Sequence, residues 1–62
     1  MDKEYFIVKR ISYDYGSLPE YLTEHGFSRD IRKVKIFNTV IDASNAKRLY
    51  YDTDYDYFID RM

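Results

Sequence analysis

Two stretches of the chain, one near each end, place rings and branched aliphatics at every second position. Over residues 4–13, Tyr5, Ile7, Lys9, Ile11 and Tyr13 share one face at period two, and Phe6, Val8, Arg10 and Ser12 share the other. The β-branched and aromatic content makes this a strand, and both faces begin apolar and end polar, as in a strand that enters covered and leaves near an edge. Over residues 51–60 the alternation sorts chemistry as well as hydropathy. Tyr51, Thr53, Tyr55, Tyr57 and Ile59 fall on one side; Asp52, Asp54, Asp56 and Asp60 fall on the other, interrupted by Phe58. A helix would mix the two sets around its circumference, so a strand is expected over about 54–60.

Between these strands the pattern is less regular. Asp14-Tyr15-Gly16-Ser17 reads as a turn. Ser17-Leu18-Pro19-Glu20 matches a capping box, and Leu18, Tyr21, Leu22 and His25 recur at helical spacing before Gly26, which together describe a short helix. The same residues also suit a second strand, Pro19 to Thr23, pairing back onto the first with His25-Gly26 as its turn. Further on, Ser28 is placed to cap a short helix over 28–34 that carries Ile31 and Val34, with Phe27 as an apolar anchor before it. Lys35 to Ile41 has the composition of a short strand. Asp42 then suits the N-cap of a helix over 43–50, with Ala43, Ala46, Leu49 and Tyr50 inward, Asn45, Lys47 and Arg48 outward, and Ile41 stapled to Ala46.

The order of elements, with Tyr21-Leu-Thr-Glu-His-Gly-Phe-Ser28, Asp30-Ile31 and Lys33-Val-Lys-Ile-Phe-Asn-Thr39 ahead of an alanine-containing helix, resembles a loose group of very small α+β proteins encoded by bacteriophages and prophages. The resemblance spans about residues 4–50. It implies that the Tyr-Leu-Thr stretch is the second strand of a hairpin, which favours a strand at 20–24, and that Lys33 to Thr39 leads into the final helix. The long 12–19 connection and the Asp- and Tyr-rich C-terminal stretch depart from the group. No catalytic motif comes with the resemblance. The fold expected is therefore α+β: a small antiparallel sheet of about three strands, including 4–13 and 54–60, with one or two short helices at 28–34 and 43–50, in a single domain over 1–62.

Composition narrows what such a domain does. Sixty-two residues supply few core side chains, and 12 of them are aromatic, eight Tyr and four Phe. Eight tyrosines exceed what one small core accommodates, so several are expected at the surface. Without cysteine there is no disulfide and no thiolate zinc site, and the single histidine builds no imidazole cluster, which fits a reducing, cytoplasmic setting and no metal cofactor. The charges at Asp2, Lys3, Glu4, Lys9, Arg10 and Asp14 break any apolar leader or membrane span near the start. A formal net charge of −1 gives no global attraction to nucleic acid or membrane.

Catalytic chemistry finds no constellation. His25 beside Gly26 reads as an exposed turn histidine, no nucleophile elbow is present, and Gly16 and Gly26 alone make no phosphate loop. Asp52, Asp54 and Asp56 copy the opening of a calcium loop, but Tyr57 stands where that loop needs glycine. Charge segregation is more informative. Arg29, Arg32, Lys33 and Lys35 cluster in the middle, while Asp52, Asp54, Asp56 and Asp60 crowd the end. Carboxylates spaced about 6.6 to 7 Å along one strand face, beside Tyr51, Tyr55 and Tyr57, suit a surface that binds the basic groove of a nucleic-acid-handling protein. The expectation is a non-enzymatic accessory protein of phage type, without cofactor, that binds a host protein and inhibits a defence enzyme directed at nucleic acid. The alternatives are phosphate binding by Arg29, Arg32, Lys33 and Lys35, and a structural homo-oligomer.

Overall fold

The computed structural model describes residues 3–14 and 17–62. The chain is α+β: among the described residues there are an antiparallel sheet of four strands, one α-helix and one 3₁₀ turn. The strands are β1 (Phe6–Ser12), β2 (Glu20–Thr23), β3 (Gly26–Ser28) and β4 (Tyr55–Arg61), in the spatial order β3-β2-β1-β4. Helix α1 (Val40–Leu49) packs over β1 and β4. The turn expected at 14–17 runs through Tyr15 and Gly16, which lie outside the described residues.

β1 and β4 form the longest pairing, in register from Phe6↔Arg61 to Ser12↔Tyr55. β1 and β2 pair only at Lys9↔Tyr21 and Arg10↔Glu20 and then diverge. Residues 35–37 fill the gap: the Lys35 N–H donates to the Leu22 carbonyl at 2.8 Å, and Phe6 and Phe37 exchange two backbone bonds of 2.9 and 2.8 Å. The strand expected over 35–41 is thus a single bridge, because this segment contacts two diverging strands for one residue each. Phe37 drops into the core between them, 8% exposed.

The 17–26 segment is a strand and hairpin, not a helix. Pairing of Glu20–Thr23 with β1 and β3 outweighs the local capping signal, and the turn at Glu24-His25 is closed by Gly26 at φ 106, a conformation that favours glycine. The buried Thr23 hydroxyl locks it, donating to the Gly26 carbonyl at 2.7 Å and accepting the His25 N–H at 3.1 Å.

Both helices begin elsewhere than the sequence pattern suggests. The helix expected over 28–34 is one 3₁₀ turn, Ile31–Lys33, capped by Asp30, whose carboxylate accepts the Arg32 N–H at 3.0 Å; Ser28 ends β3 instead. α1 starts at Val40, three residues ahead of the expected 43–50, because the Thr39 hydroxyl accepts the Asp42 N–H at 3.1 Å and takes the cap from Asp42. Ile41 then lies inside the helix and cannot act as a staple. At about 100° per residue, Ile41 and Leu49 stand far around the helix from Ala43. They are accordingly 68% and 83% exposed, so Leu49 is not the inward residue expected.

The core is small: Val8, Leu22, Phe37 and Ala43, with Phe6, Phe27, Ala46 and Ile59 packed against it. Alanines at 43 and 46 present little bulk, and Ala43 is fully buried between helix and sheet. All of these strand residues lie on one side of the sheet. The other side is uncovered by the helix and carries Ile7, Lys9, Ile11, Tyr21, Asp56, Phe58 and Asp60, as the register and alternation require. Among the described residues, no helix is long and apolar enough to cross a membrane.

Candidate functional site

β4 divides the residues singled out at the C-terminus between the two sides of the sheet. Tyr55 and Tyr57 lie on the helix side, opposite Ser12 and Arg10. There the Arg10 guanidinium is held between rings, 3.8 Å from Tyr55 and 4.1 Å from Phe27, with its Nε donating to Glu20 at 2.8 Å. Burial disfavours this charge, but hydrogen bonds to Glu20 and Tyr57 outweigh it and hold the Arg10 pKa above its ordinary value. The Tyr57 ring meets Phe27 edge-on at 5.9 Å and Tyr51 at 5.4 Å, and its hydroxyl donates to the Tyr50 carbonyl at 2.8 Å. Tyr57 therefore fastens the helix end to the sheet and Tyr55 packs against Arg10 and Tyr57, while Tyr51 is 64% exposed.

The carboxylates project to the uncovered side. The Asp56 Oδ1 accepts a hydrogen bond from the Tyr13 hydroxyl at 2.9 Å, which raises the phenol's pKa. Asp60 pairs with the Lys9 ammonium at 2.8 Å, and that ammonium also stands 5.6 Å above the Phe58 ring. Asp52 and Asp54 precede the strand. The Asp52 carboxylate accepts the Asp54 N–H at 2.9 Å and its carbonyl accepts the Tyr55 N–H at 3.2 Å, so Asp52 builds the turn into β4. Among the described residues no three His, Asp or Glu side chains gather as metal ligands.

Phe58 is the residue whose place in the site the pattern understated. It interrupts the acidic row in sequence, and in the fold it becomes the aromatic centre of the open face, 42% exposed between Asp56 and Asp60. Lys9 and Tyr13 join it from β1 and its end. Their partners are distant in sequence, so only the β1–β4 register reveals them; the one signal in the chain was that Lys9 and Tyr13 share a strand face.

The basic cluster is divided, with Arg32 taken by a local ion pair and Lys33 and Lys35 sharing a cleft. Arg32 grips its neighbour Asp30 through Nε–Oδ1 and Nη2–Oδ2 contacts of 3.0 and 3.1 Å, which holds the Asp30 carboxyl below its ordinary range. The Lys35 ammonium lies 5.5 Å from the Phe37 ring. Lys33 and Lys35 line an open cleft of about 410 Å³ with Glu24 and His25, and Arg29 is exposed beyond the end of β3. No protein-family model, curated protein or solved structure matches the chain.

Proposed function

We propose that the chain is a non-enzymatic protein-binding module that docks onto a basic protein surface through the open face of its sheet. The observation that supports this is Phe58, a large ring left 42% exposed on the sheet face turned away from α1. Around it stand Tyr13, Tyr21 and Ile11, which supply contact area, and two carboxylates, Asp56 and Asp60, beside the ammonium of Lys9. Aromatic anchors ringed by polar groups are the residues that carry binding energy at protein interfaces, and a surplus of carboxylates selects a cationic partner. A basic groove of the kind that accepts a nucleic acid backbone matches this combination, and occupying it is how such a module inhibits an enzyme directed at nucleic acid. The phage-type setting suggested by the sequence resemblance is one in which such inhibitors act.

Capture with the tagged chain from nuclease-treated extract of its native cell tests the reading. The expected result is a protein retained by the parent and by Arg32→Ala, and reduced at least tenfold by Phe58→Ser combined with Asp56→Lys. If the bound material disappears on nuclease treatment, and Arg29→Ala with Lys33→Ala abolishes its capture, phosphate binding by the basic residues replaces this reading.

A further inference from the structure

The two edges of the sheet differ. β3 is three residues long, whereas β4 offers seven, paired on one side only. The backbone phase of β4 is fixed by its ends: the Tyr13 N–H donates to the Asp54 carbonyl at 3.2 Å and the Met62 N–H to the Tyr5 carbonyl at 2.8 Å. Bonded and non-bonded positions alternate along an antiparallel pair. Asp56, Phe58 and Asp60 therefore direct their amides and carbonyls to β1, and Tyr57, Ile59 and Arg61 direct theirs outward, without a partner among the described residues. Tyr55 is the exception at the strand's start, since its N–H is taken by the Asp52 carbonyl. A row of unpaired outward groups on a strand held rigidly by its inner neighbour is a template for another strand.

From this edge we infer that the chain forms a symmetric dimer in which β4 pairs antiparallel with β4 of a second copy, with Ile59 on the two-fold axis. Side-chain charge selects that register. A two-fold through Phe58 sets Asp56 against Asp60 on both sides of the axis. One through Tyr57 sets Asp54 against Asp60; one through Asp60 or Arg61 sets that residue against itself. Directly opposed like charges destabilise a strand pair. With Ile59 on the axis, Tyr57 faces Arg61 of the second copy, Phe58 faces its Asp60 and Asp56 faces its Met62, so no like charges are opposed. The three outward residues, Tyr57, Ile59 and Arg61, are the ones this register bonds, giving about six backbone hydrogen bonds. The charges also complement: Lys9 of β1, above the Phe58 ring, stands in the same cross-strand row as Asp60 of the second copy. The product is a continuous sheet with both helices on one side, and it doubles the open face.

Sedimentation of the full chain over a concentration series tests the inference. A monomer–dimer equilibrium is expected. Arg61→Pro removes an outward N–H and none of the bonds to β1, so it should shift the equilibrium at least tenfold towards monomer with an unchanged circular dichroism spectrum. Should Arg61→Pro fail to fold, Arg61→Asp leaves the backbone intact and should weaken the dimer severalfold by removing the cation opposite Tyr57. For the register, a mixture of Phe58→Cys and Asp60→Cys chains should form the mixed disulfide under mild oxidation, while neither alone crosslinks, because only opposed residues come within disulfide reach. A chain monomeric at every concentration, a dimer indifferent to the substitutions at Arg61, or Phe58→Cys crosslinking to itself would overturn the inference.

Discussion

Arg10 shows how one side chain can organise a core too small to be built from aliphatics alone. It belongs to the covered side of β1, where a cation is costly unless its bonds are met. The planar guanidinium meets Glu20 at its edge and two rings on its faces, at 3.8 and 4.1 Å, so the group that ought to weaken the core instead joins β2, β3 and β4. Lysine keeps the charge but not the plane. Arg10→Lys is expected to lose about 1 to 2 kcal/mol in urea unfolding, while Lys9→Arg, on the open face, is expected to stay within about 0.5 kcal/mol. The sequence pattern assigns Arg10 to the side of Phe6 and Val8, which is correct, but nothing local shows that Phe27 and Tyr55 will close on it. Those contacts exist only once β2 and β4 have both paired with β1.

At the level of elements, the strands at the ends of the chain were legible because their period-two alternation is long and agrees with their β-branched and aromatic content. The central elements were not, because local signals competed there. Ser17 to Glu20 carries good helix-start chemistry, yet four residues gain more from two strand neighbours than from one isolated helical turn. The start of α1 illustrates a subtler ambiguity. Thr39 and Asp42 are both good caps three residues apart, and choosing Thr39 lets Asp42 sit in the first turn, where its charge favours the helix dipole while Lys47 and Arg48 complement the last turn. Thr39→Ala should therefore cost about 1 kcal/mol in chemical denaturation, more than Asp42→Ala, which removes only the favourable charge. An equal or reversed order of the two costs would return the cap to Asp42.

For the whole molecule, the consequential asymmetry is that most of the buried hydrophobic residues lie on one side of the sheet. Among the described residues the buried hydrophobics are Ile7, Val8, Leu22, Phe37 and Ala43, and of these only Ile7 faces away from the helix. The division of β4 into rings and carboxylates was readable from the sequence; that the tyrosine side would be spent on packing and the acidic side left open was not, because it depends on which face α1 covers. A domain of this size has about 3 to 9 kcal/mol of stability to distribute. Leu22, 2% exposed at the junction of β2, β1 and α1, carries a large part of it. Leu22→Ala should cost about 2 to 5 kcal/mol and bring the chain close to its unfolding midpoint in buffer. Leu49→Ala removes the same atoms from a residue 83% exposed and should change stability by less than about 0.5 kcal/mol in the monomer. The pair compares identical chemistry at a core position and at an exposed position on α1, read by urea denaturation at a concentration where the chain sediments as a monomer. Comparable losses at the two positions would mean that Leu49 is buried against something, and that the outer surface of α1 does not face solvent.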